Sequence, residues 1–229
     1  MHDQPPVKHL ARKPRFGFLL LLACLLGSML APDLLDDTYL NALVNSLLLS
    51  LVLLSALYLV AYQLRELLIG FGLVVPLLVC LWWASSSFNL ALVYLFNVLY
   101  VTFVCYISFF IARFLFESRH ISRDMLLAAI CLYLLLGLLW AFIFQLIELR
   151  LPGSFSLTHG VPGNYEEAMM MLGELKYFSY VTLSTLGYGD ITPLTRAARN
   201  WAVAEALLGQ VYMAFVIARL IGLSISRDD

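Results

Sequence analysis

Long uncharged apolar intervals, separated by short clusters of charge, set the pattern of this chain. A helix that crosses a bilayer needs about 20 mostly apolar residues, with a lower limit near 17, so the intervals count spans directly. Phe16 to Ala31 is short for the purpose, and Thr38 to Leu64 is ample. From Leu67 to Ala112 run 46 uncharged residues, too many for one helix. The stretch Ala84-Ser85-Ser86-Ser87-Phe88-Asn89 is the natural place to turn between two. Met125 to Ile147 gives a fifth span, and Trp201 to about Ile225 a sixth, interrupted by Glu205 and Arg219. Between the last two lies a segment of another kind, Tyr177 to Pro193, glycine-bearing and mixed in polarity. It reads as a re-entrant half-helix, about Gly173 to Ser184, followed by an extended return. Non-helical backbone at membrane depth is tolerated only against protein or a water-filled cavity, so this segment is expected to line a pore.

Composition agrees. The 229 residues are 62% hydrophobic and 13% charged, with a mean hydropathy of +0.89, whereas soluble domains carry roughly 25% charge. The expectation is an all-α integral membrane protein resident in the lipid bilayer. A net charge of -1 excludes a mainly electrostatic nucleic-acid binder, and the apolar content excludes disorder. Cys24, Cys80, Cys105 and Cys131 each stand alone in a different apolar run, which offers neither a metal cluster nor a disulfide framework.

Loops rich in Lys and Arg stay in the cytoplasm. With six spans, Lys8, Arg12, Lys13, Arg15, Arg65, Arg113, Arg119, Arg123, Arg219 and Arg227 share one side, ten of the fourteen basic residues. Both termini are thereby expected in the cytoplasm, in a cell membrane, with Tyr39, Trp82, Trp83 and Trp201 near the opposite interface. A competing reading treats Phe16 to Ala31 as a secretory signal, with small residues near Ser28 and Ala31; the other five spans are unaffected by it. The expected organisation is a cytoplasmic segment over 1–15, a four-helix unit over 16–123, a pore unit over 124–226 and a short tail over 227–229.

The residue types of the re-entrant segment suit dehydration of a monovalent cation. Consecutive carbonyls face one axis only if the backbone alternates in conformation, and Gly187 and Gly189 supply the positive φ values that other residues resist. Thr185 adds a hydroxyl oxygen, while Leu186 and Tyr188 point away from the axis as a cuff. Stacked rings of neutral oxygens then replace the hydration shell. Thr185-Leu186-Gly187-Tyr188-Gly189-Asp190 resembles the signature of potassium channels, with Leu where that family more often has Val. By average residue usage such a match arises by chance on the order of once in ten thousand chains of this length.

The resemblance spans roughly residues 125 to 225 and implies an outer helix, pore helix, selectivity filter and inner helix. It implies K+ as the permeant ion at Thr185, Leu186, Gly187 and Tyr188, no organic cofactor, no catalysis, and a homotetramer, since one chain supplies one filter strand. The family's aromatic pair before the filter falls on Tyr177 and Phe178, and the brace to the acid after the filter is expected from Tyr177 to Asp190. Where some members have a Glu tied to that acid, this chain has Val181. Gly209 stands at the family's inner-helix hinge position, and is equally readable as a close-packing residue. Gln210, Met213, Ile217 and Ile221 recur at helical spacing and are expected to line the cavity and inner constriction.

Glu205, ionisable inside a span, is expected behind the pore helix and paired with a donor. Arg219 is expected to snorkel to headgroups. Asp33, Asp36, Asp37, Glu148, Glu166, Glu167 and Glu174 make the outer side acidic, mostly as solvated charge. The fourth span carries only Arg113 instead of an arginine series, so steep voltage gating is not expected. No gating domain is expected after about Ser226, and His2, His9, His120 and His159 read as solvated loop residues. A weakly selective cation channel, and a transporter or membrane enzyme with an accidental filter match, are the alternatives.

Overall fold

A computed structural model describes residues 16–30, 38–60, 64–86, 88–118, 120–158 and 160–225. Of the residues named above, His2, Lys8, His9, Arg12, Lys13, Arg15, Ala31, Asp33, Asp36, Asp37, Ser87, Arg119, His159, Ser226 and Arg227 lie outside the described residues. Among the described residues seven helices follow in order: α1 Gly17–Leu30, α2 Thr38–Val60, α3 Leu64–Ser86, α4 Leu90–Glu117, α5 Arg123–Arg150, α6 Tyr165–Leu183 and α7 Arg196–Ile225. No strand forms among the described residues; Phe155 and Pro193 make an isolated bridge. This is an all-α membrane architecture.

Among the described residues five helices, α2, α3, α4, α5 and α7, are long and apolar enough to cross a membrane. The first expected span is different. Helix α1 has 14 residues, which at 1.5 Å per residue is about 21 Å, short of a hydrocarbon core of about 30 Å. Its neighbours fix its course. Gly17 faces Leu59 near the end of α2, and Gly27 faces Leu48 near the middle, so α1 runs antiparallel to α2. At its start Phe18 accepts from Cys131 in the first half of α5 and packs on Phe114 near the end of α4. At its far end the Ser28 carbonyl meets Lys176 of α6. It therefore runs in the direction of α5, with its last turn at the depth of α6.

Local chemistry sets the boundaries. Asn89 caps α4, its side chain accepting from the Ala91 amide at 2.9 Å, so the reversal foreseen at Ala84 to Asn89 sits at the end of that stretch. Ser122 caps α5 through the Met125 amide. The re-entrant helix begins eight residues earlier than Gly173, at Tyr165. Asn164 accepts from the Glu167 amide at 2.8 Å, and Glu166 and Glu167 in the first turn suit the positive end of the helix. Helix α7 likewise starts at Arg196 rather than Trp201, capped by Thr195 Oγ1 on the Ala198 amide.

Packing joins the expected units into one core. Tyr100 of α4 stacks on Phe142 of α5 at 3.9 Å, with Phe96 edge-on at 5.8 Å. Phe144, Phe155 and Phe178 form a second aromatic nest at 5.2–5.3 Å. In a bilayer, where lipid tails compete with apolar side chains, such close contacts and interhelical hydrogen bonds hold helices together.

Candidate functional site

Helix α6 ends at Leu183, and the chain turns back as an extended ribbon from Ser184 to Asp190. Along it φ is positive at every second residue: 62° at Thr185, 59° at Gly187 and 80° at Gly189. The glycines adopt this without strain. Thr185 does not, because a β-branched side chain in the left-handed region costs on the order of 1–2 kcal/mol, a cost the glycine-centred sequence reading had not assigned to it.

Backbone bonds orient the ribbon. The Thr185 amide donates to Thr182 O and the Leu186 amide to Val181 O, both at 3.0 Å, and the Gly187 amide reaches Val181 O at 3.4 Å. In a trans peptide the carbonyl points opposite to the following N–H. The carbonyls of Ser184, Thr185 and Leu186 therefore turn away from α6. Every residue from Ser184 to Asp190 is exposed in the single chain. Leu186 and Tyr188, 59% and 68% exposed, line a cavity of about 370 Å³ together with Tyr177, Tyr180 and Val181 of α6.

Both ends of the ribbon are tied down. The Tyr177 phenol donates to Asp190 Oδ2 at 2.5 Å, and this bond chiefly holds the Asp190 carboxyl below its ordinary range. Beyond Asp190, the Ser156 amide donates to Thr192 O at 3.0 Å and the Leu194 amide to Ser154 O at 2.7 Å. The loop supplying those partners hangs on Glu148, whose two carboxylate oxygens accept from the Gly153 and Phe155 amides at 2.6 and 3.0 Å. Glu148 is thus buried, 2% exposed, and an exception to the mostly solvated acidic set. Glu174 similarly accepts from the Thr158 amide.

Glu205, 0% exposed, places Oε1 at 2.5 Å from Ser179 Oγ, which also lies 2.6 Å from the Gly137 carbonyl. The trio joins α7, α6 and α5 behind the ribbon, and the Tyr180 hydroxyl adds a bond to Leu134 O at 2.9 Å. Phe178 faces the aromatic nest of α5 and the loop rather than the ribbon. Gly209 is buried where a Cβ would come within 2.2 Å of the Leu183 carbonyl; close approach of α7 to the end of α6 requires glycine there. Gln210, Met213, Ile217 and Ile221 are exposed on α7.

Arg219 does not reach for headgroups. Its Nη2 donates to Phe116 O at 2.9 Å and Ser118 O at 2.7 Å, closing the C-terminal end of α4. Arg113 pairs with Glu117 at 2.7 Å. Lys176 escaped the sequence reading altogether. Its signal was a lone lysine, the only one after residue 13, inside a re-entrant stretch. No group of His, Cys, Asp and Glu suited to a metal ion occurs among the described residues.

Comparison with known proteins agrees with this geometry. A family model described as "Ion channel" matches residues 128–224. The chain is 33% identical over 86 residues to two pore potassium channel c of Oryza sativa subsp. japonica, covering 36% of this chain and 18% of that protein. It is 30% identical over 105 residues to protein LctB of Geobacillus stearothermophilus, and 29% identical to its Bacillus caldotenax counterpart, each covering 45% of this chain and 75% of the relative. No solved structure matches.

Proposed function

Because the chain belongs to the potassium channel pore family of ion channels, and is not an enzyme, we propose that it conducts K+ selectively and passively as a homotetramer. The observation that carries this reading is the ribbon of Thr185 to Gly189. Its φ values alternate in sign, its first carbonyls turn away from the pore helix, and nothing in the single chain covers them. Bare carbonyls at membrane depth are costly unless an ion or a partner meets them. Four ribbons around an axis provide rings of oxygens at the spacing of a dehydrated cation.

Helix α7 supports the assembly. Of its most apolar window 6% is buried, against 50% for α5. Four copies place Val211, Met213, Ile217 and Ile221 against neighbours or along an inner cavity, and closed cyclic symmetry leaves no copy with an open face. The start of α1, the start of α5 and the end of α7 lie on one side, and the tendency of basic residues to stay inside supports reading that side as cytoplasmic, in a cell membrane.

The test is purified protein in liposomes, with cation flux followed under potassium and sodium gradients. The expected result is flux carried by K+, blocked by barium, with a reversal potential set by the K+ gradient. Equal permeability of Na+ would establish a weakly selective cation channel instead, and absence of any flux would end the channel reading.

A further inference from the structure

The pore helix carries a buried charge that the conduction reading leaves unused. Lys176 is 8% exposed, at the midpoint of α6 and next in sequence to Tyr177, whose phenol holds Asp190 at the outer end of the filter. The Lys176 ammonium donates to the Ser28 carbonyl at 2.6 Å. Ser28 lies two residues from the end of α1, so this carbonyl is one of the last four, which find no amide within their own helix. That end of a helix carries partial negative charge, to which a cation is drawn.

The contact is more than a chance crossing. Met29 of α1 and Lys176 line the same cavity of about 370 Å³ into which Leu186 and Tyr188 of the filter project. The last turn of α1 is therefore part of the wall behind the filter. The course of α1 has the same sense: it starts beside Phe114 and Cys131, and its last turn lies at the depth of the pore helix. A second tie lies at the start of α6, where the Tyr165 hydroxyl and Ser46 of α2 are 2.6 Å apart. An ionisable side chain held at membrane depth marks a functional position by default.

We propose that Lys176 is a positioning residue for the filter: it seats the C-terminal end of α1 on the middle of the pore helix, so that the first helix of the N-terminal unit bears directly on filter geometry. The inference rests on the conduction reading above. It gives the N-terminal helices a route to the filter through α1 and α6, independent of the inner ends of α4 and α7. Disturbing the seat tilts the pore helix, loosens Tyr177 from Asp190 and lets the carbonyl ribbon widen.

The test uses full-length protein in liposomes and planar bilayers. Lys176→Met removes the charge at similar volume, and Lys176→Arg keeps it. Expected for Lys176→Met is wild-type oligomeric mass with a K+ over Na+ permeability ratio at least tenfold lower; Lys176→Arg stays within twofold of wild type. Wild-type selectivity in Lys176→Met overturns the proposal, as does an equal loss in both variants, which would mark packing volume rather than the cation. Should Lys176→Met not assemble, hydrogen–deuterium exchange on the wild type decides. Replacing K+ by Na+ is expected to raise exchange together at residues 26–30 and 185–190, and a rise at the filter with α1 unmoved overturns the seat. If wild-type protein itself shows no preference for K+, the conduction reading fails, and the exchange experiment still reports on the contact.

Discussion

At the scale of the residue, the ribbon divides conformational demand unequally. Gly187, at φ 59°, has nothing within 4 Å of where a Cβ would stand, so Gly187→Ala meets no clash and acts through the backbone alone. An alanine held left-handed costs about 1–2 kcal/mol, or about 4–8 kcal/mol over four copies. Potassium flux is expected to fall more than tenfold while the oligomer persists on size-exclusion chromatography; wild-type flux would mean that the alternation of φ is dispensable. Asp190 makes a second prediction. The Tyr177 phenol depresses its pKa, so the braced state is present above the ordinary aspartate range and is lost as pH falls through the lower, folded value. In Tyr177→Phe the acid midpoint of conduction moves up, toward the ordinary aspartate range. An unchanged midpoint in flux titrations would disconnect the brace from the filter.

At the scale of the element, what was legible follows from what a bilayer penalises. Charge is expensive in hydrocarbon, so uncharged intervals located α2 to α5 and a sparsely charged one located α7, while the run Thr185 to Asp190 with its two glycines located the ribbon. The start of the pore helix was hidden because Glu166 and Glu167 look like a polar loop until Asn164 is seen to cap them. Glu148, Lys176 and Arg219 were hidden for another reason: each bonds to backbone groups of another element or turn, and no side-chain pattern records a carbonyl or an amide. Gly209, readable as hinge or packing, meets the Leu183 carbonyl so closely that a methyl group cannot fit without moving α7 or α6. Gly209→Ala is expected to cost about 1–3 kcal/mol per chain by overpacking, seen as a lower thermal midpoint of the detergent-solubilised oligomer. A pure hinge would instead leave that midpoint unchanged and alter only open probability.

At the scale of the whole molecule, two basic side chains tie the N-terminal helices to the pore, one toward each end of the conduction path. Lys176 acts at the filter, whereas Arg219 fastens the inner end of α7 to the closing carbonyls of α4. Voltage has little purchase on the second route. The one arginine of α4, Arg113, is paired with Glu117 in the same helix, and each elementary charge moved across the field supplies about 2.3 kcal/mol per 100 mV. The gating charge is therefore expected below one per chain, and several per chain from limiting-slope recordings would contradict it. What α4 does offer α7 is a mechanical hold. Because the opposite face of α7 is bare in the single chain, the hold draws the inner helix outward, away from the axis of a tetramer. Removing two charge-assisted bonds at a partly exposed site is worth about 1 kcal/mol per chain, or about fivefold in the open-to-closed ratio for each. Arg219→Gln is thus expected to lower single-channel open probability severalfold while the reversal potential stays at its wild-type value. Lys176→Met has the opposite signature, lost selectivity, so the two variants separate a filter seat from an inner-end hold in one set of recordings. An Arg219→Gln channel that opens more often would show that α4 restrains the inner helix toward closure instead.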